Sequence, residues 1–561
     1  MTTDDTGAGG IDDTGADEID EVDEVGADGA DEAGGADLDD ADDADGTGAV
    51  GTDLDDADAD ETGAGSDGPD DVSTGVDGTG RDRNDRAGRS QARRLRGGRD
   101  GATRRAAATR DSSDREGFAR VQAELRERWP ESRLDPSLDR IRALVDLLGD
   151  PQTSYPVIHV AGTNGKTTTT RIIDALLRGF GLRVGRFTSP DLSSVTERIS
   201  LDGEPVSERL FVETYDDIRP YLELVDKDQP HPLSYFEVLT AMGFAAFADA
   251  PVDVAVIEVG MGGRWDSTNV ADGRVAVVTP IGLDHMAYLG DTLDKIAGEK
   301  AGIIKGDSVA VLAGQEREAA DVLQLRAIEV GASVAREGAE FGVLTRSVAV
   351  GGQVISVQGL AAVYDELFLP LHGAHHAQNA AVALAAVEVF LGVGGTTGGL
   401  DIQIVREALL GVSSPGRLEV VRGAPTVIVD AAHNPHGMTA TVAALAESFS
   451  FRRLVGVLAV LADKDATAML VLLEPVLDEI VIAENSSPRA LPADDLAAVA
   501  VEIFGAERVV VEPRLDDAIE TAIGLAEEGE AQLGGSGVLI TGSVVTAGDA
   551  RTLLGAGRRS R

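Results

Sequence analysis

The sequence predicts an α/β protein: a parallel-sheet ATPase domain with a phosphate-binding loop, followed by a smaller Rossmann-like α/β domain. Short β-branched, apolar runs alternate with helical stretches, which is typical of parallel sheets buried on both faces. One such run leads into a glycine-rich turn and then a helical segment. Hydrophobic residues make up 43% of the 561 residues, and a chain of this length exceeds one typical domain.

The first 110 residues have a different composition. Residues 1–80 hold 29 Asp or Glu and no Lys or Arg, whereas residues 81–110 hold 11 Arg against 3 Asp. Such a segment buries too little apolar surface to offset its ordering entropy. We therefore expect residues 1–110 to form a disordered head, acidic and then Arg-rich. Its simplest interpretation is a solvated tail, although the Arg-rich part could bind the acidic part or an anionic surface. We expect deletion of the head to leave activity intact.

The composition also excludes several classes of protein. The formal net charge of −48 disfavours nucleic acid as a partner. The absence of cysteine excludes disulfides, thiolate catalysis and zinc–thiolate sites. No run of about 18 apolar residues predicts a membrane span, and the N-terminus lacks the pattern of a signal peptide. We expect a cytoplasmic protein, by default a monomer, that binds small molecules.

The ordered part of the first domain is predicted to span residues 111–412. Helical spacing of apolar residues predicts helices at 116–129 and 137–148. The elements predicted after them are strands at 157–161, 252–259, 275–279 and 309–312 and helices at 168–177, 236–248 and 292–301.

The second domain is predicted to span residues 413–561 and to be doubly wound. Its predicted strands are 427–430, 454–458, 480–483, 509–511 and 538–541, and its predicted helices are 437–447, 466–473, 494–504 and 516–527.

The strongest motif is the turn G-T-N-G-K-T-T at residues 162–168. Its backbone N–H groups and the following helix N-terminus predict a phosphate cradle. Lys166 is expected to meet the β- and γ-phosphates, and Thr167 and Thr168 to reach phosphate or Mg²⁺. The longer eight-residue loop pattern would need Gly at 160, where Val160 stands. The residues predicted to bind ATP here are Gly162, Thr163, Asn164, Gly165, Lys166, Thr167 and Thr168.

Two further motifs follow strands. V-I-E-V-G-M-G-G at residues 256–263 ends a strand in an acid, which predicts that Glu258 holds a metal ion near the phosphates. T-P-I-G-L-D-H-M at residues 279–286 contains His285, which is either a ligand of the same Mg²⁺ or a structural hydrogen-bonding residue. Arg417 is either a surface turn residue or a guanidinium that reaches the γ-phosphate.

Together these motifs resemble the folylpolyglutamate synthase/dihydrofolate synthase family, relatives of the Mur peptidoglycan ligases. The resemblance covers the chain from about residue 117 to the end. It also includes S-P-D-L at 189–192, T-E-R-I at 196–199, S-Y-F-E at 234–237, H-A-Q-N-A at 376–380, S-P-G-R-L at 414–418 and D-A-A-H-N-P at 430–435.

The resemblance implies site residues and a reaction. Lys300 matches a lysine that the family carbamylates to help hold a second Mg²⁺. Lys166, Lys300, His285 and Arg417 are the implied catalytic residues. The implied ligands of the first Mg²⁺ are Ser189, Glu258 and His285. The implied further ATP contacts are Asn379, Arg417, Asp430 and His433. The implied pterin contacts are Tyr235, Phe236 and Arg264.

The implied activity is Mg-ATP-dependent amide formation through an acyl phosphate. Glutamate would be added to dihydropteroate, to the glutamate tail of reduced folates, or to both. One alternative is a Mur-type ligase that adds an amino acid to a UDP-linked muropeptide precursor; residues 260–269 and 234–237 fit the folate branch better. A second alternative is a non-catalytic nucleotide-binding module, which would bind ATP without turnover.

Overall fold

A computed structural model describes residues 113–130, 135–394, 398–528 and 535–556. The head predicted at residues 1–110 lies outside these ranges. The first helix, α1, covers residues 113–126, three residues earlier than predicted. The chain then turns towards a later helix, because Trp129 O accepts a hydrogen bond from Tyr235 N at 2.9 Å.

The first block of the fold is built on an eight-stranded sheet with the order β4-β3-β2-β5-β1-β6-β7-β8. The strands from β2 to β8 in this order are parallel, as predicted, whereas β3 at one edge pairs antiparallel with both β2 and β4. Its strands are β1 (Val157–Ala161), β2 (Val184–Phe187), β3 (Ile199–Leu201), β4 (Glu204–Pro205), β5 (Val254–Glu258), β6 (Gly273–Val278), β7 (Val309–Leu312) and β8 (Ser333–Arg336).

Helices cover both faces of this sheet, which is why β1 and β5 are apolar and buried along their whole length. After α1, the helices of the first block are α2 (Asp139–Leu147), α3 (Lys166–Gly179), α4 (Glu208–Asp228), α5 (Tyr235–Asp249), α6 (Met286–Leu289), α7 (Leu293–Lys300), α8 (Arg317–Val330), α9 (Ala374–Leu391) and α10 (Ile402–Leu410).

A three-stranded antiparallel sheet, which the sequence analysis did not predict, packs against the first block. Its strands are β9 (Gly342–Ala349), β10 (Gly352–Gln358) and β11 (Val363–Leu369). Ile355, Val357 and Leu367 pack into the core that also contains α3 and α9. The other face of the sheet is partly exposed and mixes polar residues with apolar ones such as Val354, so its strands lack the continuous apolar runs on which the prediction relied.

The second block contains a six-stranded sheet with the order β12-β13-β17-β14-β15-β16, in which only β12 is antiparallel. Its strands are β12 (Glu419–Gly423), β13 (Thr426–Val429), β14 (Arg453–Leu458), β15 (Glu479–Glu484), β16 (Val509–Arg514) and β17 (Ser536–Thr541). Its helices are α11 (Pro435–Ser448), α12 (Ala466–Leu473), α13 (Ala493–Phe504), α14 (Leu515–Glu527) and α15 (Val544–Leu553). The predicted elements of this block therefore all exist, within two or three residues at each end.

Candidate active site

The loop between β1 and α3 forms an open cradle. Gly162 and Gly165 have φ of 142° and 87°, in the region that favours glycine. A Cβ on Gly165 would lie 2.5 Å from Asn379 Oδ1, so the loop admits no side chain there. Gly165 is also the N-cap of α3, and no side chain caps this helix. The first amides of α3 are thereby left for an anion such as phosphate.

Two lysines converge on the cradle, Lys166 half-buried and Lys300 buried. Lys166 Nζ donates to Gly162 O at 3.1 Å and to Thr163 O at 3.2 Å, and Lys300 Nζ donates to Gly162 O at 2.8 Å. Burial lowers the pKa of both amines, that of Lys300 to about 7, and the charge of Lys166 lowers the pKa of Lys300 further. In the part of the chain that the structure describes, neither amine contacts a carboxylate, so their positive charge, when protonated, is available to a polyanionic ligand.

Glu258 lies at the end of β5 beside this cradle, as predicted, and is 1% exposed. Its Oε1 accepts from Thr167 Oγ1 at 2.8 Å, and its Oε2 accepts from Ser189 N at 3.4 Å. Burial raises the pKa of Glu258, and the charge of Lys166 opposes that shift. A buried carboxylate beside a phosphate cradle is a suitable ligand for Mg²⁺, which prefers oxygen.

His285 follows β6 and has φ of 51°. Burial lowers the pKa of its imidazole to about 4, so the ring is neutral near pH 7. One ring nitrogen of a neutral imidazole has a lone pair that can bind a metal. The neighbouring Asp284 makes contacts across the block boundary. Its oxygens accept from Lys464 Nζ at 2.6 Å and Asn434 Nδ2 at 3.0 Å, and lie 3.3 Å from His433 Nε2.

The residues predicted from the second block approach the cradle from the opposite side. The carboxylate of Asp430 accepts hydrogen bonds from residues of its own block, Leu418 N at 2.9 Å and Thr441 Oγ1 at 2.8 Å. His433 Nδ1 lies 3.0 Å from Ala431 O, and Arg417 Nη1 donates to Gly416 O at 3.1 Å. These contacts hold the side chains at the boundary between the blocks.

A cavity of about 310 Å³ joins the two sides. All of the predicted catalytic, ATP-binding and metal residues line it: Gly162, Thr163, Asn164, Gly165, Lys166, Thr167, Thr168, Ser189, Glu258, His285, Lys300, Asn379, Arg417, Asp430 and His433. The Thr168 hydroxyl is engaged elsewhere, 2.9 Å from Ser414 Oγ.

A second cavity, of about 330 Å³, adjoins the first. Among the residues common to both linings are Ser189, Met261, His285 and His433. Of the three residues predicted to contact pterin, Phe236 lines the second cavity. Tyr235 and Arg264 line neither cavity. The ring of Tyr235 lies 5.4 Å from the Arg198 guanidinium carbon, and Arg264 is exposed.

The sequence analysis did not select several polar residues that line the two cavities. The residues not selected are Asp284, His375, His376, His436, Lys464 and Arg489. His376 is 2% exposed, and neither of its ring nitrogens has a hydrogen-bond partner in the described structure. Asp284 was quoted within a motif, but its role depends on residues about 150 positions away, which no local pattern reveals.

Among the residues that the structure describes, no group of three or more His, Cys, Asp or Glu side chains is placed to hold a metal. The predicted set of Ser189, Glu258 and His285 contains only two such residues, so a metal on it would need oxygen ligands from water or phosphate as well. Across the same part of the chain, every helix is too short or too polar to cross a membrane.

Comparisons with known proteins identify this arrangement. The family description "Mur ligase middle domain" matches residues 160–387, and "Mur ligase, glutamate ligase domain" matches residues 416–544. The cradle and the opposing second block are thus those of a Mur-type, ATP-dependent ligase.

The dihydrofolate synthase/folylpolyglutamate synthase of Mycobacterium tuberculosis is 53% identical over 455 residues, which cover 78% of this chain and 93% of that protein. A solved structure of M. tuberculosis folylpolyglutamate synthase complexed with ADP matches with a TM-score of 0.76 at 53% identity, over 79% of this chain and 99% of that one. E. coli FolC in complex with DHPP and ADP matches with a TM-score of 0.68 at 30% identity, over 79% and 98%. The chain belongs to the dihydrofolate synthase/folylpolyglutamate synthase family.

Proposed function

We propose that this protein is a Mg-ATP-dependent amide ligase that adds L-glutamate to dihydropteroate, to the glutamate tail of reduced folates, or to both. The observation that carries the proposal is the pair of adjoining cavities. The first contains the cradle and its lysines, and the second is lined by aromatic side chains such as Phe236 and Trp265. A carboxylate on a pterin-type substrate bound in the second cavity can meet the γ-phosphate at their shared border.

The cradle supplies position and charge. The uncapped N-terminus of α3 and Lys166 receive the β- and γ-phosphates, and Arg417 faces them from the second block. The substrate carboxylate attacks the γ-phosphorus and ADP leaves, which gives an acyl phosphate. The amine of glutamate then attacks the acyl carbon, loses a proton and expels phosphate. Cationic donors that meet the charge as it develops lower the barrier, each by about 3 kcal/mol.

Glu258, Ser189 and His285 would hold Mg²⁺. The chemistry of these groups supports the proposal, because Glu258 is a buried carboxylate beside the phosphate cradle and the His285 ring is neutral. When bound, the ion would neutralise phosphate charge and fix the geometry of transfer.

Lys300 would be carbamylated. Its amine is 4% exposed and its pKa is about 7, so a large fraction is neutral under physiological conditions. Only a neutral amine attacks CO₂. The resulting carbamate would turn a cation beside Gly162 into an anion that can help to hold a second Mg²⁺.

The test is phosphate release from ATP with Mg²⁺ and glutamate, with and without dihydropteroate. We expect turnover that requires dihydropteroate and that falls by about 100-fold or more in Lys166→Ala. Lys295→Ala is the matched control, since Lys295 is exposed and its ion pair within residues 113–556 as described joins it to Asp291. Tetrahydrofolate in place of dihydropteroate tests extension of the tail.

Failure with both folate substrates, combined with turnover on a UDP-linked muropeptide precursor, would favour the Mur-type alternative. ATP binding without turnover on any substrate would favour the non-catalytic module. Relatives at up to 53% identity are dihydrofolate synthase/folylpolyglutamate synthases. This similarity supports a folate substrate over a muropeptide precursor and over a non-catalytic module. The monomeric state and the division of the chain at residues 412 and 413 stay predictions.

A further inference from the structure

One apolar side chain of the first block packs into the core of the second block. It is Leu192, in the loop at residues 189–193 that follows β2 and contains Ser189 of the predicted Mg²⁺ set. Leu192 is half-buried and packs against the core that lies between the second sheet and helices α14 and α15. Every other residue that the structure describes in this core lies between residues 421 and 554. The contact therefore joins two blocks that fold around separate sheets.

Two buried glycines of the second block form a socket for Leu192. Gly416 directly precedes Arg417, and a Cβ at Gly416 would lie 3.2 Å from Leu192 Cδ2. Gly548 lies within α15, and a Cβ there would lie 2.1 Å from Leu192 O. Because a Cβ does not come that close to another atom, the loop and α15 lie at a separation that only glycine permits. This socket, Gly416 and Gly548, therefore sets the distance between the two blocks at this point.

The loop that contains Leu192 is held by its own block. Leu192 N and Ser193 N both donate to Glu197 Oε2, at 3.0 Å and 3.4 Å. At the other end of the loop, Ser189 N donates to Glu258 Oε2 at 3.4 Å. With both ends hydrogen-bonded, the loop forms a short, fixed connection. The position of Leu192 in the socket therefore determines where the second block lies relative to Ser189.

We propose that Leu192 is a positioning residue that aligns Arg417 of the second block with Ser189 of the first. This inference rests on the proposed function, in which both of those groups act at the phosphates of ATP. Ser189 lies three residues before Leu192, and Arg417 directly follows Gly416, so one contact connects the two halves of the site. A displacement of about 1 Å can lower the rate of a reaction by about 100-fold. The contact therefore acts on the rate of phosphoryl transfer and not on the binding of each substrate.

The first experiment fills the socket. Gly548→Ala adds a Cβ that must displace the loop, although alanine favours a helix more than glycine does. In steady-state kinetics of the full chain with MgATP, dihydropteroate and glutamate, we expect kcat to fall by about tenfold or more while the KM for dihydropteroate stays within about twofold. Gly524→Ala is the matched control, since Gly524 lies in α14 of the same block and a Cβ there meets nothing within 4 Å.

The second experiment removes the side chain that fills the socket. Leu192→Ala should lower kcat by about tenfold with the same small change in KM, and Leu192→Met, which has a similar volume, should restore most of the rate. Hydrogen–deuterium exchange of the ligand-free protein gives a readout that does not depend on turnover. We expect residues 189–193 to exchange faster in Leu192→Ala and in Gly548→Ala, and at the wild-type rate in Gly524→Ala.

The possible outcomes separate the inference from the proposed function. Wild-type kcat in folded Leu192→Ala and Gly548→Ala proteins would overturn the inference and leave the proposed function intact. Equal rises in the KM values for ATP, dihydropteroate and glutamate, without rescue in Leu192→Met, would assign Leu192 a structural role and also overturn the inference. A wild-type protein without turnover on either folate substrate would overturn the proposed function and, with it, the positioning role, whatever the exchange rates show.

Discussion

The loops after β1 and β13 occupy equivalent places, each between the carboxyl end of a buried parallel strand and a helix. The N-termini of the two helices nevertheless differ. Helix α3 begins after Gly165 without a side-chain cap, whereas α11 begins after Asn434, whose Oδ1 accepts from Gly437 N at 2.8 Å. The first helix keeps its amides for a ligand, and the second satisfies one of them internally.

The side chains around the two loops differ in the same way. Lys166, half-buried, and Lys300, buried, donate to carbonyl oxygens of the first loop. Asn434 at the second loop donates to Asp284 and Asn164 of the first block. The same strand–loop–helix geometry thus leaves an uncapped helix N-terminus in one block, which suits the proposed phosphate site, and forms a connection between the blocks in the other.

The largest expected effect tests the open cradle. Gly165→Ala places a Cβ in a left-handed conformation and 2.5 Å from Asn379 Oδ1. We expect kcat/KM to fall by about 100-fold or more, because the amides of the cradle move from their positions. Gly298→Ala is the control, since a Cβ there meets nothing within 4 Å. Full activity in Gly165→Ala would contradict the proposal that this loop binds the phosphates of ATP.

The next effect tests the connection between the blocks. Asp284→Asn removes the charge that Lys464 meets at 2.6 Å in a buried environment. Burial would raise the pKa of Asp284, but His433, His285 and Lys464 outweigh it and hold that pKa far below its usual range. We expect the free energy of unfolding to fall by about 3–5 kcal/mol in urea titrations. Asp291→Asn, at an exposed pair that solvent screens, should leave it almost unchanged. An equal change in the free energy of unfolding for the two variants would show that Asp284 does not stabilise the connection between the blocks.

A pH experiment tests the buried amine of the cradle. Burial lowers the pKa of Lys300 to about 7, so the fraction that can react with CO₂ rises as pH increases through that value. After CO₂ is removed, stimulation of turnover by bicarbonate should increase several-fold between about pH 6 and pH 8. Lys300→Arg, which stays charged, should show no stimulation. Stimulation that falls with rising pH would contradict carbamylation.

The smallest effect tests the capped helix. Asn434→Ala removes the cap of α11 and also the donor to the buried Asp284. It should lower the free energy of unfolding by about 1 kcal/mol for the cap and by about 1–3 kcal/mol for the lost hydrogen bond, measured by the shift of the thermal midpoint. Thr439→Ala, whose hydroxyl donates to Pro435 O within the same helix, is a control that leaves the cap intact. A larger loss in Thr439→Ala than in Asn434→Ala would indicate that the cap contributes little.

Local patterns determined much of this fold before the structure was known. Apolar runs predicted β1, β5 and β7 within two residues at each end, because a strand buried on both faces has no polar side to obscure its signal. The loop at residues 162–168 was predicted equally well, since a glycine is required at 162 and at 165, where a Cβ would clash and φ is positive. The half-exposed strands β9–β11 lacked such a signal.

The sequence by itself determined the class of fold and the strand–loop–helix unit that contains residues 162–168, because both depend on spacing within short segments. The roles of the predicted site residues, among them Ser189 and Asn379, follow from the family resemblance and stay predictions. Only the tertiary structure decided that Asp284 meets Lys464, that Tyr235 and Arg264 lie outside both cavities, and that Arg489 faces the second cavity. These outcomes depend on how two blocks that are far apart in the chain pack together. Side-chain pairs across that boundary produce no periodic pattern in the sequence, so a local analysis cannot predict them.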